Sequence, residues 1–115
     1  MSADRSIERI LTTQIKLRQL MLLKAVADCG TVSRAAEALH MSQPAVSKTI
    51  HELEALLEEP LFERTSKGVT PTMFGRHVIR YARSVHAELR RAADELTALR
   101  HGGGGKLTIG SYMVA

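Results

Sequence analysis

At 115 residues, with 44% hydrophobic content and no Trp, the chain has room for one modest domain with an Ala/Leu-packed helical core. Its formal net charge of +4 fits a polyanionic partner, and its single cysteine, Cys29, excludes an internal disulfide and suits a small buried role. No run reaches the roughly 18 apolar residues of a membrane span, and charges interrupt the opening MSADRSIERILTTQ, so neither a membrane partner nor a secretory leader is expected and the protein is placed in the cytoplasm.

Residues 1–14 read as a polar-leaning extension in which Ile7, Ile10 and Leu11 have helical spacing, predicting an added turn or two against a neighbour. A first domain helix is expected from Ile15 to Cys29, with Leu17, Leu20, Leu23 and Ala27 along its buried face and Gly30 ending it. The second helix buries Ala35, Ala36 and Leu39, and Thr31 and Ser33 are both placed to cap it. Ser42 then caps a third helix, with Pro44 in its first turn, where a missing N–H costs nothing.

The third helix has two distinct faces. Val46, Ile50, Leu53 and Leu57 form an apolar stripe suited to a core. Gln43, Pro44, Ser47, Lys48 and His51 form a polar stripe, spaced i, i+3, i+4, i+7 from Pro44 onward. Amide, hydroxyl, ammonium and imidazole groups on a helix anchored from behind suit the major groove of DNA. Glu59-Pro60 stops this helix. Leu61–Arg64 and Val69–Thr70 read as two short strands around Thr65-Ser66-Lys67-Gly68, a hairpin or wing with Gly68 suited to its turn. Lys67, beside Thr65 and Ser66 at the tip, suits phosphate or minor-groove contact.

From Thr72 to about His101 the pattern predicts one helix, roughly 45 Å long. Val78, Ala82, Val85, Leu89, Ala92, Leu96 and Leu99 recur at alternating spacings of four and three, which is a coiled-coil seam. The small preceding domain is not expected to bury it, so a partner helix is, most simply its copy in a second subunit. Gly102 to Gly105 read as a hinge, and the following LTIGSYMVA alternates like the first strand of a further domain. That strand is expected to be poorly ordered without its sheet, and the chain is read as the first part of a longer protein.

Charge is concentrated late in the chain. Arg64, Lys67, Arg76, Arg80, Arg83, Arg90 and Arg91 are opposed in their own stretch only by Glu88. Catalytic signatures fail one by one. Gly105-Lys106 lacks the Ser or Thr and the first glycine of a phosphate-binding loop, because Leu107 and Arg100 stand there. The histidines lack metal-ligand spacing, and no Ser/His/Asp arrangement is legible. An enzyme is not expected.

The run AAEALHMSQPAVSKTIHELEALLEEPLFERTSKGVTPTMFG resembles the winged helix-turn-helix of LysR-type transcriptional regulators. The matching positions include Ala35-Ala36, Leu39, Ser42 to Ala45, Ser47, Leu53-Glu54, Leu61-Phe62, Arg64, Gly68, Thr72 and Gly75, and the likeness covers roughly residues 16–101. It implies a mainly α fold, a three-helix core plus β-hairpin wing over residues 15–71, followed by a dimerisation or linker helix over 72–101. Residues 102–115 would be the hinge and first strand of an effector-binding domain.

The resemblance also implies roles. Gln43, Pro44, Ser47 and Lys48 would face base edges, with Gln43 suited to adenine and the Pro44 ring to a thymine methyl. Ser33, Arg34, Ser42, Thr49 and Lys67 would meet phosphates, with Thr65 beside Lys67 on the wing. Arg64 is read either as a wing contact or as a brace of the hairpin. Implied partners are double-stranded promoter DNA, with an interrupted palindrome as site, a second copy through the linker helix, and RNA polymerase for the full-length protein. No cofactor is expected in this fragment, and a small-molecule effector is expected for the domain beyond it. The implied location is the cytoplasm, at the nucleoid. The residues alone leave an architectural DNA-binding module and a protein-interaction module as alternatives, and they do not choose the direction of helix pairing.

Overall fold

The computed structural model describes residues 2–102, with side chains from residue 6 onward. Its elements are α1 (Ser2–Thr13), α2 (Leu17–Cys29), α3 (Val32–Leu39), α4 (Gln43–Leu57), β1 (Phe62–Thr65), β2 (Gly68–Pro71) and α5 (Met73–His101). The expected hinge beyond Gly102 and the expected strand lie outside the described residues.

Local chemistry sets the ends of these elements. Gly30 adopts φ 83° after α2, and the Thr31 hydroxyl accepts the Arg34 N–H at 3.0 Å to cap α3. Ser33 therefore caps nothing; it lies inside α3, because Thr31 already takes the first free amide. The Ser42 hydroxyl accepts the Ala45 N–H at 3.2 Å at the start of α4. Glu58, at φ 58°, closes α4 before Pro60.

Leu22, Leu23 and Val26 from α2, Val32, Ala35 and Ala36 from α3, and Val46, Ile50, Leu53 and Leu57 from α4 form the core, joined by Leu61 and Ile79. The α4 stripe is the one its spacing predicts. The α2 face is shifted: Leu17 remains 42% exposed, while Leu22 and Val26, outside the expected face, are buried. The run LRQLMLLKAVADC is apolar at too many positions to fix one phase, so packing against α3 and α4 selects it. The extension forms a full helix, longer than the expected turn or two. Ile10 packs against the core, whereas Ile7 and Leu11 stay exposed.

The hairpin is antiparallel, with Phe62 opposite Pro71 and Thr65 opposite Gly68, leaving Ser66 and Lys67 as its loop. Gly68, at φ 140°, approaches the turn after α2 so closely that an added Cβ would overlap the Gly30 carbonyl oxygen. The Val69 N–H donates to that same oxygen at 2.9 Å, fastening the wing to the helix-turn-helix. At the other end of the hairpin, Thr72 donates its hydroxyl to the Pro60 carbonyl at 2.7 Å and accepts the Gly75 N–H at 2.9 Å. Gly75 in turn has no room for a Cβ against the Leu61 backbone, so the first turn of α5 lies directly on the chain leaving α4.

Packing divides the chain after Arg83 into two units. In the first, Ile79 and Ala82 are buried and Val78 packs against the core, so the expected seam is not wholly left for a partner. Its first two positions are consumed by the domain, because the Gly75 contact draws the start of α5 onto it. In the second unit the remaining seam positions are open, with Val85 40%, Leu89 44%, Leu96 63% and Leu99 60% exposed and Ala92 also exposed.

Arg83 is not the unopposed cation its neighbourhood in sequence suggests. It donates to Asp28 at 2.8 Å, and Lys24 meets the same carboxylate at 3.2 Å. Arg91 likewise pairs with Glu88 at 2.9 Å. The hydrogen bond from Arg83 lowers the Asp28 carboxyl below its ordinary range; partial burial pushes the other way, and Lys24 adds to the lowering. A carboxylate held low when folded stabilises the fold above its unfolded pKa, and that contribution fades as pH falls through the folded value. Asp28→Asn should therefore lower the melting temperature at neutral pH, and the gap to wild type should close below the ordinary aspartate range. A gap that persists or widens in acid would contradict this role for the carboxylate.

Candidate nucleic-acid interface

Burying Val46, Ile50, Leu53 and Leu57 turns the opposite side of α4 to solvent. Gln43, Pro44, Lys48 and His51 are exposed there, and Ser47 is half-buried. Ser42 uses its oxygen to accept a backbone N–H, which leaves its own O–H free to donate at the helix N-terminus, where anions are favoured. Ser33 and Arg34 are exposed in the first turn of α3.

The wing closes one side of this face. Ser47, His51 and Glu54 from α4, Arg64 and Phe62 from β1, and Val69 from β2 line a groove of about 80 Å³. Ser47 and Arg64, far apart in sequence, thus share one concave surface, and His51 joins them. Lys67 is exposed on the hairpin loop. Thr65 has a structural part here: its hydroxyl donates to the Gly68 carbonyl at 3.3 Å and accepts the Lys67 N–H at 3.2 Å. Arg64 is exposed and, among the described residues, has no hydrogen-bond or ion-pair partner that would make it a brace of the hairpin.

Thr49 stands apart from this surface. Its hydroxyl donates to the Ala45 carbonyl at 3.1 Å, and it lines a different groove with Lys16, Arg18, Met21 and Met41. Its hydroxyl proton bonds within the helix, on the side of α4 that carries this second groove.

Glu54 has a role the sequence does not announce. Its carboxylate accepts the Leu61 N–H at 2.7 Å and the Phe62 N–H at 3.5 Å, tying α4 to the first residue of the wing. A charged residue in the Leu/Ala-rich end of α4 is the only local hint. The partners become visible only once the chain turns back at Pro60.

An exposed polar helix held by a buried stripe, with a shorter helix crossing behind it and a hairpin locked beside it, defines a winged helix-turn-helix DNA-binding domain. The family model described as "Bacterial regulatory helix-turn-helix protein, lysR family" matches residues 17–76, more than half of the chain. The chain belongs to the LysR family of transcriptional regulators and contains its DNA-binding domain.

The HTH-type transcriptional regulator GbpR of Azospirillum brasilense is 42% identical over 103 residues, covering 90% of this chain and 30% of its own length. The RuBisCO operon transcriptional regulator of Allochromatium vinosum is 42% identical over 95 residues, covering 83% of this chain and 32% of its own length. The chain thus spans about a third of these relatives. Among solved structures, the CbnR DNA-binding domain in its DNA complex superimposes with a TM-score of 0.67 at 33% identity, over 76% of this chain and 100% of that one. These relatives are transcriptional regulators, and the chain shares their helix-turn-helix DNA-binding domain.

Proposed function

We propose that this chain is the sequence-reading end of a dimeric regulator, which binds an interrupted inverted repeat in promoter DNA. In this reading α4 enters the major groove, Gln43, Pro44, Ser47 and Lys48 meet base edges, and Ser33, Arg34 and Ser42 hold flanking phosphates. Arg64 and Lys67 extend the backbone contact along the wing. The observation that carries the proposal is the division of α4 into a buried apolar stripe and an exposed polar face. The open seam from Val85 to Leu99 supports pairing with a second copy. Tetramer formation, a small-molecule effector and contact with RNA polymerase are assigned to the full-length protein, in the cytoplasm at the nucleoid. Among the described residues no helix is long and apolar enough to cross a membrane.

Lys67 separates charge from sequence in this reading. Lys67→Ala should weaken binding to specific and scrambled duplexes by similar factors. It should also flatten the slope of log K against log salt by about 0.9, the value for one lost phosphate contact. An unchanged slope together with altered base preference would show that the wing reads bases.

A further inference from the structure

The first turns of α5 carry a second basic surface that the reading of α4 and the wing does not use. Gly75, Ile79 and Ala82 form the buried face of these turns. Arg76, Arg80 and Arg83 each follow one of them, at i, i+4 and i+7, and form an adjoining stripe. With Pro71, His77 and Ile79 they line a concavity of about 410 Å³ that has no carboxylate in its wall. Arg83 is shared with Asp28, whereas Arg76 and Arg80 have no ion-pair partner among the described residues. Arg80 lies with its guanidinium carbon 5.5 Å from the Tyr81 ring centroid, a cation–π contact that steadies it at the surface.

We propose that this stripe binds the phosphate backbone of duplex DNA adjacent to the segment read by α4, extending the contacted duplex past the foot of the wing. The proposal rests on the DNA-binding reading above. Two features favour a nucleic-acid backbone over an acidic protein surface. The stripe is continuous with the wing: Pro71 ends β2 and lines the concavity, while Val69 of the same strand is bonded to Gly30, two residues from the Asp28 that holds Arg83. Two guanidinium groups with no ion-pair partner among the described residues, Arg76 and Arg80, about 6 Å apart in helix rise, also suit a dense line of phosphates, as Arg does generally.

The test uses the whole chain and two duplexes, one ending at the selected binding site and one extended by about one helical turn on each side. Arg76→Gln combined with Arg80→Gln should leave the melting temperature and the affinity for the short duplex unchanged. On the extended duplex it should weaken binding about tenfold at low salt and flatten the salt slope by about two units, as for two lost phosphates. The paired Lys replacements should restore most of the loss, since charge is retained. Equal weakening on both duplexes, or none on the extended one, would overturn the proposal; in the second case an acidic protein surface becomes the better occupant. Scrambled duplexes of both lengths should show the same length-dependent loss, because phosphates carry no sequence. Loss of wild-type preference for the selected site would instead contradict the reading of α4, and the scrambled pair would still decide the role of α5.

Discussion

Leu89→Glu should convert the protein from dimer to monomer at micromolar concentration without unfolding it. Leu89 is 44% exposed in the single chain and stands among open seam positions, so no intramolecular packing depends on it. A symmetric pairing would bury one Leu89 from each subunit. Only the exposed share of each side chain remains to be buried, so losing both burials costs about 1–3 kcal/mol per dimer, or roughly one to two orders of magnitude in dissociation constant, and the introduced carboxylates add to that. Light scattering should report one chain mass for the variant and two for wild type. Affinity for a two-half-site duplex should fall with dimerisation, while helix content and melting of the isolated domain stay close to wild type. A variant that keeps twice the chain mass would remove the seam from the interface.

Gln43→Ala should lower affinity for the cognate site by about 1–3 kcal/mol and relax preference at one or two base pairs. Gln43 is the first residue of α4, where a helix inserted end-first brings side chains nearest the bases. It is exposed and lies outside the Val46-Ile50-Leu53-Leu57 stripe, so its loss should not disturb the core. It is also uncharged, so non-specific affinity and the salt slope should barely change. A normally melting Gln43→Ala protein with wild-type affinity and base preference would show that α4 does not read sequence through this residue.

Most of the helix-turn-helix was legible because its signals are local. Thr31, Ser42, Pro44 and Gly30 each mark an end within one turn of where they stand, and the α4 stripe has a single clean period. The less legible features depend on contacts between distant segments. Which α2 leucines are buried is decided by α3 and α4, and Ile79 enters the core because Gly75 lets α5 approach Leu61. The 3.5-residue period of α5 is continuous, yet its first part faces the domain; periodicity marks an apolar stripe without naming what covers it.

The site divides in the same way. The polar face of α4 follows from spacing alone, but the groove joining Ser47 and His51 to Arg64 exists only once the wing folds back. Thr49 is placed apart from that groove. Its hydroxyl is spent on the preceding turn, and its side chain faces another groove. Arg83 shows the limit of reading charge along the chain, since its neutralising partner is 55 residues away.

The proposed function requires α4 to read sequence in duplex DNA. Selection of bound duplexes from a randomised pool, run side by side with wild type and Gln43→Ala, tests it most directly. Wild type should enrich an interrupted inverted repeat whose half-sites match the two copies of α4 in a dimer, and Gln43→Ala should lose information at one or two positions in each half-site. A folded wild-type protein that enriches no sequence over the starting pool would contradict the claim.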